Sequence, residues 1–501
     1  MKRILTIITI ICSLSFVTVV SANEMNVQEE IVYNIIIDRF NNGDQSLNDH
    51  VDINDPYNYH GGDFDGISQK LSHLESLGFT TIVLSPIMET DMTGFHGYTV
   101  ENFFNLNENF GSLESLKSLI GQAHERDMKV MIEFVFNYAA ITHPFVTDTN
   151  KKDWFMENTY TPENDEQSLY WLDDVVQFDQ SHPEVQQYLL SVAEHWIDEL
   201  NIDGIKLHAA DQSDREFLES LATFIKEKKP DSFLFAHVLD HAADISWLQD
   251  LPQIDGVENP ALATAIADTF SEGDLSIDNL YETQETIGHN KDLLYTETKD
   301  TPRFANYAAL NERTALTAWK LALTYLYTTP GTPYMYQGNE LQMFGLEFPE
   351  TQQMMLFNST DPDLEEFHNK LSMMRDDIPA LTKGDYSQVA VNDGLSIFSR
   401  IFEDEIIYIA INNDEVMQDV VLKDIATDMQ LRGLFADEII RSNDDEEFII
   451  TIPRESMEIY VVQPNFGINW YYISFVAAVF TVFFLAIFYL SRKQKLREQD
   501  K

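Results

Sequence analysis

The sequence predicts an α/β protein built on a (β/α)8 barrel of the TIM-barrel class, followed by a small β-sandwich domain and one transmembrane helix. Three observations carry this prediction. Eight apolar, strand-like segments alternate with helical patterns between residues 33 and 340, residues 382–463 hold closely spaced strand-like segments, and residues 468–490 carry no charge. Continuous apolar strands separated by helices are typical of parallel sheets, and eight such units close a barrel.

The eight strand-like segments occur in an order that leaves a helix or a loop between successive strands. They are YNIIID (33–38), TTIVLSP (80–86), KVMIEFVF (129–136), GIKLHAA (204–210), SFLFAHV (232–238), DGVEN (255–259), LLYTETKD (293–300) and TPYMYQGNE (332–340). Helical patterns include GISQKLSHLESLG, residues 112–127 and residues 182–200. Residues 23–381 would form the barrel, with a short inserted loop domain at 138–178. The segments LSIFSRIF, EIIYIAINN and FIITIP predict the antiparallel β domain at 382–463.

Both ends of the chain carry patterns typical of export and membrane insertion. Residues 1–22 place two basic residues before an apolar run and small residues, which predicts a secretory signal peptide cut after Ala22. Residues 468–490 are long enough to span a hydrocarbon layer about 30 Å thick. The basic tail at 491–501 places that end in the cytoplasm. We therefore expect a single-pass protein of the cell membrane whose residues 23–467 are extracellular.

Charge and cysteine content narrow the class of protein further. With 32 basic and 83 acidic residues the net charge is -51, which would repel phosphate and argues against a nucleic acid partner. The aromatic content of 12% argues against a disordered chain. The one cysteine, Cys12, lies in the predicted signal peptide, so we expect no disulfide and no cysteine-bound metal in the mature protein.

The end of the fourth predicted strand carries His208, with Lys206 two residues earlier on the same face. Active sites of barrels lie at the carboxyl ends of the strands. The stretches around these strand ends are YHGGDFDGISQKLSHLESLGFTTIVLSPI, FHGYTVENFF, KVMIEFVFNYAAITHP, NIDGIKLHAADQ, KDTPRF and TTPGTPYMYQGNEL. Through them, residues 31–463 resemble the alpha-amylase superfamily of glycoside hydrolases. Within that superfamily, the chain resembles a membrane-anchored member with degenerate catalytic residues.

The resemblance implies a catalytic centre in which two of three carboxylates are replaced. His208 stands at the position of the nucleophilic aspartate and His237 at that of the acid/base glutamate, whereas Asp300 keeps the third carboxylate. Retaining glycosidases need two carboxyl groups about 5 Å apart. A histidine near pH 7 is neutral or positive and supplies no anion. Loss of general acid catalysis alone costs about 10²–10⁴-fold, so we expect hydrolysis and transglycosylation to be nearly abolished.

The resemblance also implies a set of substrate-binding positions. These are Tyr98, His96, Tyr138, Lys206 and Lys299. Tyr98 keeps the family's aromatic platform for the sugar, whereas Lys206 replaces an arginine, and Tyr138 and Lys299 replace histidines. Glu133 and Asn137 stand in the altered third-strand motif. Further aromatic residues would either extend the platform or pack within loops, and both alternatives stay open for Phe95, Trp154 and Trp171.

Three functional hypotheses follow from these substitutions. In the first, the protein is a pseudoenzyme that binds an α-glucan, an oligosaccharide or a protein partner at the membrane. In the second, it is a weakly active or altered α-glucan hydrolase or transglycosylase. In the third, His208, His237 and Asp300 bind a metal ion, although the ammonium groups of Lys206 and Lys299 argue against a nearby cation. Nothing in the sequence indicates an organic cofactor.

A loop after the first strand resembles an amino-terminal calcium loop of some amylase relatives. It comprises FNNGDQSLNDH and the later HGGDFDG. The oxygen ligands that the resemblance implies are the side chains of Asn42, Asp44, Asn48 and Asp63 and the carbonyl of Gly61. The alternative is a polar turn without an ion. The family's other calcium site is doubtful, because Gln177 stands where an aspartate would accompany Asn137.

Overall fold

The protein was analysed as a computed structural model that describes residues 26–91, 93–156, 160, 167–273, 275–465 and 470–499. The predicted signal peptide lies outside these residues. Eight parallel strands close a barrel in chain order, which confirms the predicted fold class. They are β1 (Val32–Ile35), β2 (Thr81–Leu84), β3 (Lys129–Phe134), β4 (Gly204–Leu207), β5 (Phe233–Ala236), β6 (Gly256–Glu258), β7 (Asp292–Leu294) and β8 (Thr332–Tyr336).

The barrel interior is filled by its own layer of apolar side chains. This cluster includes Val32, Val83, Met131, Phe233, Phe235, Leu293, Tyr295 and Tyr334. A second, larger cluster joins the outer faces of the strands to the helices. Burial on both faces explains why the strands read as continuous apolar runs. The loops that follow β7 and β8 are buried as well, so their sequences resemble strands. The predicted strands at these two places were therefore too long.

Helices surround the barrel and connect successive strands. The longer ones are Phe64–Leu77, Leu113–His124, Pro183–Glu199, Arg215–Lys228, Pro260–Ser271, Ile277–Ile287, Ala315–Thr328 and Pro362–Asp377. Short helices are Pro144–Thr147, Ser246–Gln249, Phe304–Leu310 and Pro379–Lys383. The first long helix begins at the Asp63 cap and ends at Gly78, whose φ of 84° suits a glycine.

Two excursions of the chain lie near the carboxyl ends of the barrel strands. After β2, a hairpin pairs Met88–Thr90 with Val100–Leu106 and carries His96 and Tyr98 in its connection. After β3, Tyr138–Ala140 and Phe155–Met156 both pair with Val175–Phe178. This second sheet carries the 3-10 segment Gln167–Asp174. These two excursions supply the side chains that lie over the strand ends.

The carboxyl-terminal part forms an antiparallel β domain and a helix. Its strands are Asp385–Asn392, Leu395–Phe402, Glu405–Asn412, Gln418–Leu422, Met429–Gly433, Ile439–Arg441, Phe448–Ile452 and Ser456–Pro464. Six of them form one sheet and two a second sheet. The helix spans Trp470–Gln499. Its Ile473–Lys493 stretch has a mean hydropathy of 2.5 and no buried part, so its length and composition suit a membrane span.

Candidate active site

Four predicted site residues meet at the barrel mouth as a series of stacked rings. His208 follows β4 and His237 follows β5, and their ring centroids lie 4.8 Å apart with planes inclined by 13°. Tyr98 stacks on His208 at 4.3 Å and 21°. His96 stacks on Tyr98 at 5.0 Å and 22°. We call these four residues the ring stack. None of them is more than 4% exposed, so the strand ends are closed from solvent at this point.

The imidazole of His208 is held from β3 by Glu133. Its Nδ1 lies 2.6 Å from Oε1 of Glu133. Burial lowers the pKa of His208, and the hydrogen bond to Glu133 only partly opposes that shift. His208 is therefore neutral at neutral pH, and the nitrogen facing the carboxylate carries its proton. The Nε2 atom of His208 is buried and finds no hydrogen-bond partner within the described part of the chain.

Lys206 lies beneath the ring stack and connects two buried carboxylates. Its Nζ lies 3.0 Å from Oε1 of Glu258 and 3.7 Å from Oε2 of Glu133, and donates to the hydroxyl of Tyr334 at 2.9 Å. Burial lowers the pKa of Lys206, but the two carboxylates raise it, and the net value lies well above the ordinary 10.5. Burial raises the pKa of Glu133, whereas Lys206 and His208 lower it to about 2. This network is an ammonium paired with two carboxylates.

His237 is fixed as a neutral imidazole whose acceptor nitrogen is already used. The backbone N–H of Ala209 donates to its Nδ1 at 3.0 Å, so the proton lies on Nε2, which is 3.8 Å from Oε2 of Glu258. Burial lowers the pKa of His237 well below 6.5, and the charge of Lys299 adds to this effect. At neutral pH the ring holds no additional proton that it could give to a leaving group.

The retained carboxylate of Asp300 is paired within the chain. Its Oδ2 contacts Nζ of Lys299, and that Nζ lies 5.1 Å from the ring centroid of Tyr98. Each of the three carboxylates that the structure places at this site therefore faces a lysine. Glu258 was not singled out in the sequence. Its signal was present, because it lies near the carboxyl end of the sixth predicted strand, as His208 lies near that of the fourth.

The metal-ligating groups that come together differ from the predicted set. Glu133, His208 and His237 each offer an atom within 4.8 Å of the others, so Glu133 takes the place expected for Asp300. The rings of the two histidines are nearly parallel, and their in-plane lone pairs do not converge on one point. With Nζ of Lys206 only 3.7 Å from Glu133, the geometry suits a hydrogen-bonded network better than a metal centre.

The predicted ligands of the calcium loop lie close together, but some of them also accept hydrogen bonds from nearby backbone N–H groups. Asn42 donates to Oδ1 of Asn48 at 2.9 Å, while Oδ1 of Asn42 is buried without a partner among the described residues. Asp63 accepts from the backbone N–H groups of Gly43, Asp44 and Gly66. The side chain of Asp44 accepts from Ser46. A beta carbon at Gly61 would lie 2.4 Å from Asn42 and 3.0 Å from Asn48. The orphaned oxygen and the close approach fit a cation ligand set.

The other predicted residues lie in two kinds of surroundings. Asn137 donates to the carbonyls of His208 and Ala209, and thus orients the end of β4. Trp171 lies against the ring stack, 4.9 Å from Tyr98 and 5.4 Å from His208. Trp154 instead packs within the inserted domain, 5.4 Å from Phe145. The guanidinium of Arg39 covers the ring of Phe95 at 3.7 Å, so neither Trp154 nor Phe95 offers a free platform.

Comparisons with known proteins agree with this architecture. The family model described as "Alpha amylase, catalytic domain" matches residues 34–378, and the model described as "Alpha-amylase C-terminal domain" matches residues 384–460. Among curated proteins, a cyclomaltodextrinase of Geobacillus thermopakistaniensis is 26% identical over 465 residues, which are 87% of this chain and 77% of that protein.

Two solved structures extend the likeness to the whole fold. An Anoxybacillus alpha-amylase superposes with a TM-score of 0.82 at 35% identity, covering 89% of this chain and 100% of that chain. An alpha-amylase of Geobacillus thermoleovorans, solved with acarbose, gives a TM-score of 0.80 at 34% identity, covering 88% of this chain and 100% of that chain.

Proposed function

Because the chain belongs to the alpha-amylase family of glycoside hydrolases, we propose that it is a non-hydrolytic member that binds an α-glucan or a protein partner at the outer face of the cell membrane. One observation carries the proposal. The nucleophile and acid/base positions hold the neutral imidazoles of His208 and His237, and the carboxylates beside them are paired with lysines. The test is turnover of maltooligosaccharides by the purified chain.

The chemistry of retaining hydrolysis explains the weight of that observation. The reaction needs an anion beside the developing oxocarbenium ion and a carboxylic acid to protonate the leaving oxygen. His208 is neutral, and the pKa of about 2 at Glu133 keeps that carboxyl from donating a proton at neutral pH. Lys299, which stands in place of a histidine, adds positive charge where the transition state would also be positive. The α-glucan class of ligand is taken from the relatives, which are named as amylases and cyclomaltodextrinases.

We propose membrane display on the basis of the length and composition of the helix Trp470–Gln499 and of the predicted signal peptide. We expect protease treatment of intact cells to remove the extracellular part and to leave a fragment containing the span and a tail of about ten residues. Immunoblotting with antibodies to the barrel and to the tail would measure this result. Cytoplasmic proteins serve as the control for cell integrity. Protection of the barrel while other surface proteins are cut would show that the orientation is wrong.

Calcium is proposed for the loop that contains Asn42, Asp44, Asn48, Gly61 and Asp63. A ligand that binds only the folded state raises its stability, by about 2.7 kcal/mol at 100 times its Kd. Chelation should therefore lower the Tm of the full-length chain, and added Ca²⁺ should restore it. Asn48→Ala should remove the response to chelation, whereas Asn54→Ala, at an exposed position between the two stretches of the loop, should keep it. A Tm that is the same in chelator and in Ca²⁺ would favour the ion-free polar turn.

A further inference from the structure

We infer that His208 and Trp171 occupy the space above Tyr98 that a glucosyl ring would take, so that the chain's own side chains close this site to sugars. The inference rests on the proposed function and adds a second, independent cause for it. Loss of catalytic groups would prevent cleavage of a bound sugar, whereas filling of the site prevents binding there. A glucan partner would then bind on another surface of the protein.

The spacing of the rings is the first step of the argument. Tyr98 and His208 are separated by 4.3 Å between ring centroids and are nearly parallel. Carbon atoms in contact lie about 3.5–4.0 Å apart, so a sugar ring between two stacked rings would need about 7–8 Å. His208 therefore excludes a pyranose from this side of Tyr98. Its ring is fixed there by Glu133 on one side and by the stack on His237 on the other.

Trp171 completes the closure from the inserted domain. The indole is 1% exposed and lies 4.9 Å from Tyr98 and 5.7 Å from Tyr138, centroid to centroid. The preceding residue, Tyr170, anchors this segment by packing at 4.8 Å against Phe348, in the loop that follows β8. An aromatic side chain of this size buries roughly 150–250 Å², which is enough to cover a single ring. The segment thus closes the site with a single side chain, the indole of Trp171, which a substitution can remove.

Polar atoms around the indole of Trp171 distinguish this closure from ordinary core packing. Nε1 of Trp171, the hydroxyl of Tyr138 and Nε2 of His208 are buried, and none has a hydrogen-bond partner within the described residues. Buried polar atoms are normally paired, and an unpaired one destabilises the fold. These three atoms, one on the indole itself and two on neighbouring rings, indicate that aromatic rings are packed into a polar site. Removing the two rings would leave the hydroxyl of Tyr138 open to water or to a sugar hydroxyl group.

The decisive experiment removes both closing rings and measures binding. The full-length chain, in a detergent without a sugar headgroup, is titrated calorimetrically with maltotriose as the unsubstituted protein and as two double variants. His208→Ala with Trp171→Ala should open the site, and alanine avoids a second carboxylate beside Glu133. His208→Ala with Trp154→Ala is the matched control, because Trp154 is also buried in the inserted domain, with 4% of its surface exposed against 1% for Trp171. We expect saturable binding in the first variant only, and its loss when Tyr98→Ala is added.

Two outcomes would overturn the closure. One is saturable maltotriose binding by the unsubstituted chain, without turnover, that Tyr98→Ala abolishes; the proposed function would survive this result. The other is a Trp171→Ala double variant that melts cooperatively, is stabilised by indole as an aromatic-sized cavity should be, and yet binds no maltotriose. Turnover by the unsubstituted chain would instead overturn the proposed function, so the two failures are distinguishable.

A conservative variant tests the same closure if the double variant does not fold. The difference in fluorescence between the unsubstituted chain and Trp171→Phe reports the emission of Trp171. We expect this emission to resist quenching by acrylamide and to stay unchanged when maltotriose is added. Strong quenching, or a change with maltotriose, would mean that the indole is accessible and that the site is open.

Discussion

The full-length chain is expected to hydrolyse maltotriose or an aryl α-glucoside at least about 10⁴-fold more slowly than the alpha-amylases it resembles. The reason is chemical. His208 offers a neutral nitrogen where a carboxylate must attack, and His237 holds no extra proton to give, because burial keeps its pKa well below 6.5. Chromatography of the sugars released over time measures the rate. An active alpha-amylase of the family, assayed in the same detergent, is the positive control.

Reversion should restore activity only when the site is rebuilt as a unit. The family's residues would be introduced by His208→Asp, His237→Glu, Lys206→Arg, Tyr138→His and Lys299→His. Single reversions should leave the rate at background, because catalytic groups that act together are not additive. The five together should still require Trp171→Ala, because the indole lies on Tyr98. Robust hydrolysis by the unsubstituted chain that His208→Ala abolishes would refute the proposal and indicate another mechanism.

The fold was predictable because its signals are local and repeated. Each barrel strand is an apolar run that is buried on both faces, and each is separated from the next by a helical pattern or a loop. The ends of strands were less predictable. Residues 295–299 are buried and follow β7 directly, so they resemble strand in the sequence, although tertiary contacts hold them as a loop. The predicted strand at 293–300 was therefore too long.

The site was predictable where a residue ends a strand or belongs to a motif of the family, and not where a contact depends on how a loop folds back. His208, His237 and Tyr98 were identified from strand ends and from the family resemblance, and the structure brings all three together. Trp171 could not be placed, because its position depends on the anchoring of Tyr170 against Phe348, far along the chain. No periodicity in the sequence reports such a contact. The predictions for calcium and for export and membrane topology remain to be tested.

Removal of the Lys206 ammonium is expected to destabilise the barrel by about 3–5 kcal/mol at pH 7, since it would leave uncompensated buried charge. Lys206→Met keeps the length and apolar stem of the side chain, but leaves Glu133 and Glu258 without the ammonium that they share. Urea denaturation of the full-length chain, followed by circular dichroism, would measure the free energy of unfolding. Lys117→Met is the matched control, because its pair with Glu199 is exposed, and exposed pairs contribute about 0–1 kcal/mol.

The destabilisation caused by Lys206→Met should be smaller in acid, and the pKa of Glu133 gives the reason. Its pKa is lowered from 4.5 to about 2 in the folded chain, so the ionised carboxylate stabilises the fold above about pH 4.5. That stability is lost as the pH falls toward 2. Without Lys206, burial raises the pKa of Glu133, and the carboxyl becomes neutral at a higher pH, where it no longer needs a partner. The difference in unfolding free energy should therefore be smaller at pH 4 than at pH 7. An equal loss at both values, or a loss no larger than that of Lys117→Met, would show that the buried ammonium does not stabilise these carboxylates.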